Sequence, residues 1–405
     1  MTIQSDRDLK DYEKIAGQEI VENIRKKSKK LSGKHMVCVS STHEGGGVAE
    51  MLNSLIVLFN KMGIRFGWRI LHGTPDFFTV TKKFHNALQG EDIHFSDKKK
   101  KLYYETNKRY ALFNHIDHDL VVVHDPQPLP LINFYEKKQP WVFRCHVDLS
   151  NPDQDLWSYL KKYIEKYDEM IVSTEEYKKN LKISQSIIHP AIDPLTVKNN
   201  EISKDVMEEY LGKNGISLKK PIISQISRYD KWKDPEGVIK VFEKVKKEVD
   251  CQLVLLGNMV TDDPESVKIY SKTIKKYGDR EDIKILVNVS ANDLVVNALQ
   301  RKSSVVIQKS IREGFGLTIS EALYKGTPVV ASDVGGIPLQ VKDGESGFLH
   351  FPDDIDGFAN SVIKILKDDS LRERLGENGR EYVKKNFLIT RLMMDWLNVF
   401  EKRLL

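Results

Sequence analysis

Residues 312–323 read REGFGLTISEAL and follow an apolar run at 305–308, so a buried strand leads through a glycine turn into the first turns of a helix. Gly314 and Gly316 permit backbone angles and close approaches that a side chain would block, and the N–H groups of Phe315, Gly316 and Leu317 can converge on one point. Orphan amides and the positive end of the helix dipole coincide there, which suits an anion such as phosphate. Glu313 and Glu321 flank the turn. Carboxylates beside a phosphate are tolerated where they accept hydrogen bonds from hydroxyls, and a nucleotide sugar offers hydroxyls on both sides of its diphosphate. Two glutamates at this separation also arise on solvated helix faces; the strand and the glycines favour the functional reading.

Other residues could join such chemistry. SQISRYDKWKDPEG places Arg228 and Lys233 after a strand, where one guanidinium and one ammonium could neutralise a departing diphosphate; the alternative is an ordinary charged loop balanced by Asp230 and Asp234. FRCHVDLS brings His146 and Asp148 to the carboxyl end of another strand, although a lone strand histidine is more often a core residue. In SSTHEGGGVAEMLNSL, Gly45, Gly46 and Gly47 lead into a helix beginning near Val48, again a corner for phosphate or a close-lying sugar. A dinucleotide dehydrogenase would need GxGxxG there and an acid after the second strand, which instead ends Ile70-Leu71-His72. His43, His72, His124 and His146 lack the helix spacing of a metalloprotease site. Of the two Asp-X-Asp sequences, Asp117-His118-Asp119 precedes its strand and Asp153-Gln154-Asp155 suits a helix cap. The expected complement is therefore no metal site and no tightly bound cofactor, with Mg2+ at most stimulatory.

The elements that must hold these residues alternate. After a lysine-rich N-terminal helix at 8–31, strands are expected at 36–41, 66–71, 120–124, 141–147, 169–173 and 186–189, separated by amphipathic helices. A polar stretch at 194–220 precedes a second series at 222–226, 252–256, 283–287, 304–308, 328–331 and 347–350. The pattern predicts an α/β protein with two doubly wound, Rossmann-like parallel-sheet domains facing a central cleft, the boundary lying within the polar stretch. Domain ranges of 1–210 and 215–387 follow. A chain of 405 residues with 40% hydrophobic content can bury two such cores. Lys and Arg number 63 against 58 Asp and Glu, for a formal charge of +5, and are dispersed along helices, so nucleic acid is not the expected partner. Cys38, Cys145 and Cys251 are far apart in strand-like runs and read as core residues of a reducing cytosol. No apolar run is long enough to span a membrane and the first 30 residues have no signal-peptide core, so the expected location is cytoplasmic. The Lys, Glu and Ile content would suit a thermophile.

Taken together, these segments resemble retaining nucleotide-sugar glycosyltransferases of the GT-B fold over nearly the whole chain. The motifs that carry the likeness are the Arg228 and Lys233 loop and EGFGLTISEAL with its two glutamates. The resemblance implies that Arg228 and Lys233 hold the diphosphate, Glu313 the donor sugar, Glu321 the nucleotide ribose, and Asn288 the base through its backbone. It also implies that His146 contacts the donor sugar beside the reacting carbon and that Gly46 and Gly47 lie against the diphosphate and the acceptor, while Gly314, Phe315, Gly316 and Leu317 complete the donor site. VVVHDPQPLPLI and PWVFRCHVDLS look like segments of trehalose glycosyltransferring synthases and of retaining trehalose phosphorylases. That likeness implies transfer of glucose from ADP- or UDP-glucose to free glucose, with His124, Asp125, Gln127 and Asp148 on the acceptor. The alternatives are a phosphorylase using inorganic phosphate, or a nucleotide-sugar-binding or epimerising protein of the same fold. The resemblance further implies that a final helix at 388–405 crosses back to the first domain; its apolar stripe could equally build a homodimer.

Overall fold

The computed structural model describes residues 7–43, 46–258 and 265–405. They form two compact units, Met1–Ala191 with Ile389–Leu405, and Ile192–Leu388.

The first unit is a parallel sheet of six strands, β1 (His35–Ser40), β2 (Arg65–Ile70), β3 (Leu120–His124), β4 (Trp141–Arg144), β5 (Glu169–Val172) and β6 (Ser184–Ile187), in the order β2-β1-β3-β4-β5-β6. Helices α1 (Gln18–Lys30), α2 (Gly47–Lys61), α3 (Pro75–Leu88), α4 (Asp97–Phe113) and α5 (Gln154–Ile164) accompany it, as does the C-terminal helix (Ile389–Leu404). The central strand β3, LVVVH, is buried throughout, which is why its sequence is continuously apolar rather than alternating. The strand order reverses between β1 and β3, the switch point at which a doubly wound sheet opens a crevice outside its strand ends.

Several boundaries differ from the sequence expectation. The helix anticipated at 8–31 is broken at Gly17, whose φ of 94° ends one short helical turn before α1 begins. Strand β4 stops at Arg144 rather than continuing to 147, because the His146 N–H is taken by the Asp125 Oδ1 at 2.8 Å instead of by a neighbouring strand. Strand β6 runs Ser184–Ile187, two residues earlier than periodicity suggested, since this polar edge strand carries no apolar signal.

The second unit holds β7 (Ile222–Ile226), β8 (Gln252–Gly257), β9 (Ile283–Val287), β10 (Val305–Gln308), β11 (Val329–Ser332) and β12 (Gly347–His350), all parallel, in the order β12-β11-β10-β7-β8-β9. Around it lie α6 (Lys204–Lys213), α7 (Pro235–Val245), α8 (Glu265–Tyr277), α9 (Asn292–Lys302), α10 (Leu317–Tyr324), α11 (Ile355–Lys367) and α12 (Asp369–Asn386). Here the switch point lies between β7 and β10.

The division falls at Ala191/Ile192, ahead of the stretch at 194–220. That stretch packs on the second unit through Leu211 and Ile216, and its first residues are fastened by polar bonds. Asn297 Nδ2 donates to the carbonyls of Val197 and Asn200, both at 2.8 Å, and Arg301 Nη2 donates to those of Asn199 and Asn200 at 3.2 and 2.9 Å.

The C-terminal helix belongs to the first unit. Its apolar stripe of Met393, Trp396, Leu397 and Phe400 is buried within that unit, with Phe400 against Phe59 and Phe66, so the stripe does not supply a dimer face. Near its end Arg403 and Lys402 reach the fully buried Glu169 on β5, and Glu401 pairs with Lys27 and Lys30 of α1. No described helix is long and apolar enough to cross a membrane.

Candidate active site

In the second unit the two loops at the switch point are tied together. The loop after β7 carries Arg228 to Asp234 and that after β10 carries Lys309 to Gly316, and the Ile311 N–H donates to the Trp232 carbonyl at 2.7 Å. Lys309, 2% exposed, forms an ion pair with Asp234, which sits at a φ of 45° and caps α7 through its bond from the Gly237 N–H at 3.0 Å. This couple fixes the residue next to Lys233. The Lys233 ammonium in turn pairs with Glu313 Oε2, which also accepts from Gln308 Nε2 at 3.2 Å and Ser310 Oγ at 3.1 Å. The charged-loop alternative for Lys233 does not describe this arrangement: its partner is Glu313, not Asp230 or Asp234. Arg228 is the more open cation, its side chain 40% exposed and its Nη2 4.0 Å from Asp230 Oδ2.

The glycine turn uses its two glycines differently. Gly316 adopts a φ of 86° and caps α10, whereas Gly314 does not have a positive φ. A methyl group on Gly316 would also stand 3.2 Å from Glu313 Cγ. The turn is backed from behind by Gly336, where a Cβ would lie 2.8 Å from both the Gly314 carbonyl oxygen and Phe315 Cα. Phe315 is buried and Leu317 opens the helix, which has no side-chain cap. The Gly316→Ala variant is expected to lose about 1–2 kcal/mol of stability and at least tenfold in turnover, because the strained backbone and the displaced Glu313 act together; calorimetry and initial rates on the same preparation check both.

Glu321 lies on α10 and is 1% exposed. Its oxygens meet Lys198 Nζ at 3.5 Å and Gln300 Nε2 at 3.1 Å. Burial raises its pKa, but Lys198, Lys325 and Gln300 outweigh that and hold the carboxylate ionised. Glu321 is thus held in place by intramolecular partners, of which Lys198 comes from the stretch that carried no signal. Asn288 ends β9 at a φ of 48°, its N–H donating to the Gly257 carbonyl at 3.2 Å.

In the first unit, the ends of β1, β3 and β4 bring a second group together. Gly46 caps α2 at a φ of 91° and Gly47 starts the helix; Gly45 lies outside the described residues. His124 is buried, with Nδ1 3.0 Å from His146 Nε2 and Nε2 3.2 Å from Cys38 Sγ. Both of its ring nitrogens are thus engaged within the protein. Asp125, at a φ of 64°, holds the His146 backbone. Asp148 is 1% exposed; its Oδ1 accepts from the Ser150 N–H at 2.8 Å while Oδ2, like Oε1 of the buried Gln127, has no hydrogen-bond partner among the described residues. Buried acceptors without a partner are uncommon in native structures.

Among the described residues no three His, Cys, Asp or Glu side chains are arranged to hold a metal ion. Asp153 caps α5 by accepting from the Leu156 N–H at 2.9 Å. Asp119 accepts from the His35 N–H at 2.7 Å and, with Asp117 and His118, lines a recess of about 710 Å³ at the amino ends of β3 and β4. Ligands of doubly wound sheets bind at the opposite, carboxyl ends, so this recess is not the candidate site despite its size.

Burial holds His118, His124 and His146 neutral. His118 is lowered to about 4 by burial, then His35 and Arg69, and His124 to about 3 by burial, then Arg144; His146 lies well below the ordinary range for the same causes, with His124 adding to them. The unfolded chain binds these protons near 6.5. Between that pH and about 4 it holds more protons than the folded chain, so stability is complete above 6.5 and falls as pH falls. The expected loss is on the order of 1.4 kcal/mol per pH unit for each such histidine. Thermal melts from about pH 7.5 to 5 check this; a flat midpoint contradicts it, and His118→Gln should shallow the slope.

The second unit marks a glycosyltransferase: residues 206–382 match the family model described as glycosyl transferases group 1. A sucrose-phosphate synthase from Thermosynechococcus elongatus superposes with a TM-score of 0.71 at 18% identity, covering 91% of this chain and 98% of that one. Anabaena HepE, solved in complex with UDP and glucose, gives 0.70 at 16% identity over 91% and 100%. The architecture is that of the GT-B fold. The chain belongs to the trehalose synthase family, since residues 38–179 match the trehalose synthase N-terminal domain model and the trehalose synthase of Thermococcus litoralis is 44% identical over 97% of each chain. A trehalose phosphorylase of Grifola frondosa is 26% identical over 93% of this chain and 58% of its own.

Proposed function

We propose that this enzyme is a retaining glucosyltransferase that moves glucose reversibly from a nucleoside-diphosphate glucose to free glucose, forming trehalose. The observation that carries the donor half is the Lys233–Glu313 pair beside the glycine-capped start of α10, with Arg228 on the same loop as Lys233. In this reading Lys233, Arg228 and the first amides of α10 hold the diphosphate, and Glu313 accepts from a hydroxyl of the donor sugar. As the bond from the anomeric carbon to the phosphate oxygen breaks, the two cations stabilise the charge that develops on the diphosphate. The diphosphate takes the proton of the attacking hydroxyl on the face it leaves, which keeps the configuration. A double displacement would need a carboxylate nucleophile, and Glu313 is engaged by three donors.

The acceptor reading rests on the first unit alone. Asp148 Oδ2 and Gln127 Oε1 are acceptors suited to the hydroxyls of a small neutral sugar. The solved complex of HepE with UDP and glucose, and the name of the Thermococcus relative, support donor and product classes. The phosphorylase relative favours a second reading, with inorganic phosphate in place of the nucleotide.

The test is incubation with ADP-glucose or UDP-glucose plus glucose, with the same donors plus glucose-6-phosphate, and with glucose-1-phosphate plus glucose. Trehalose from the first mixture alone supports the proposal. Trehalose from glucose-1-phosphate makes the enzyme a phosphorylase, a phosphorylated disaccharide discards the free-glucose acceptor, and nucleotide binding without any disaccharide leaves a binding or epimerising protein.

A further inference from the structure

At the ends of three neighbouring strands of the first sheet a line of hydrogen bonds runs from buried Cys38 on β1 and buried His124 on β3 to half-buried His146 just beyond β4. We infer that Cys38 and His124 are positioning residues that fix His146 as the tautomer with its proton on Nδ1, so that His146 acts as a hydrogen-bond donor and not as a base.

The argument is a proton count. Two neutral imidazoles carry one N–H each, and the thiol carries one S–H. Both contacts can run in either direction, but the directions are linked through His124. If His124 Nε2 donated to sulfur, a weak acceptor would receive the bond and the S–H would need another acceptor. Among the described residues Cys38 Sγ has no hydrogen-bond contact besides His124 Nε2, 3.2 Å away. If instead the thiol donates, a strong nitrogen acceptor is satisfied and only sulfur lone pairs go unused. His124 Nε2 is then unprotonated, its proton sits on Nδ1, and that N–H donates across 3.0 Å to His146 Nε2. The remaining proton of His146 is left on Nδ1.

The surroundings keep the line intact. The two rings are inclined by only 13° with centroids 5.4 Å apart, the separation of imidazoles joined nitrogen to nitrogen in line rather than stacked. Asp125 anchors the His146 backbone at 2.8 Å, and Trp396 lies 6.4 Å from the His124 ring. Arg144, held by Ser173 and the Ile188 carbonyl, puts a positive charge nearby and opposes protonation of either ring. Burial keeps the Cys38 thiol protonated.

The consequence for catalysis rests on the reading of His146 as a donor-sugar contact. A donor at Nδ1 can bind a sugar oxygen but cannot remove a proton from the acceptor, in keeping with proton transfer to the departing diphosphate. The tautomer itself does not depend on that reading, and the experiment separates the two.

Two-bond proton–nitrogen NMR spectra of full-length protein labelled with 15N-histidine, with His146 assigned by the loss of its signals in His146→Asn, report which nitrogen carries each proton. The wild type should show His124 and His146 both protonated on Nδ1. Cys38→Ser, whose hydroxyl still donates, should retain that pattern and near-normal turnover. In Cys38→Ala the His146 signals should move to a tautomer mixture, and kcat should fall about tenfold with the donor KM within about twofold. A wild-type His146 protonated on Nε2 overturns the proposal whatever the activity, as do unchanged tautomers in Cys38→Ala. Altered tautomers with unchanged kcat would instead overturn the catalytic role of His146. Should Cys38→Ala not fold, His124→Asn retains a donor where Nδ1–H stands and His124→Leu removes it; loss of the Nδ1–H form of His146 in the second alone is the expected result, and the same spectrum in both overturns the proposal.

Discussion

Lys233→Met should lower kcat by about 10²- to 10³-fold, the range observed when one preorganised donor to a developing negative charge is removed. The Lys233 side chain is 15% exposed and already anchored to Glu313, so little reorganisation precedes the step it assists. Its removal leaves Glu313, whose side chain is 9% exposed, with Gln308 and Ser310 but without that cation, so the variant should also lose stability, and turnover is compared below its melting point. Lys233→Arg retains the charge without the same single-point contact and should recover only part of the loss. Arg228→Met should cost less, its side chain being 40% exposed and more screened. Steady-state rates with nucleotide donor, alongside melting curves, test this; a Lys233→Met enzyme within threefold of wild type would remove Lys233 from the chemistry.

The largest expected effect on stability lies elsewhere. Arg403→Met should destabilise the protein by about 3–5 kcal/mol, because removing one partner leaves a buried carboxylate undercompensated. Glu169 is fully buried and receives Arg403 Nε at 2.8 Å, Lys402 Nζ at 3.2 Å and the Ser186 hydroxyl. Only Lys402, itself 54% exposed, would remain as a cation. For a unit of this size the melting point should drop by roughly 10 °C. The double variant Glu169→Met/Arg403→Met removes charge and counter-charge together and should recover much of the loss. Additive losses in the double variant would show that the pair is not coupled.

How far these residues could be found in the sequence depends on what kind of bond holds them. The central strands were legible because burial on both faces writes a continuous apolar run, as in VVIQ of β10 and LVVVH of β3. Glu313, Lys233 and the glycine turn were legible because chemistry and spacing coincided with strand ends. Lys198, Gln300 and Lys325 around Glu321 were not, since polar side chains recruited from distant segments follow no period. Cys38 was read as a core residue and His124 as an acceptor contact. The signal that would have joined them is topological: once the order β2-β1-β3 is known, the strands carrying Cys38 and His124 are neighbours. Periodicity identifies strands but not their adjacency.

The return of the last helix to the first unit has a consequence for biogenesis. Residues 192–388 form a contiguous body, whereas the first unit needs both ends of the chain. During synthesis the second body can therefore fold as soon as it clears the ribosome, while its predecessor, though made earlier, waits for Trp396, Phe400 and Arg403 to emerge. Until then the faces that receive these residues, including Glu169, stand uncovered. The segment translated first is the one completed last, and a premature stop codon near residue 389 would be felt in the half of the molecule farthest from it in the message.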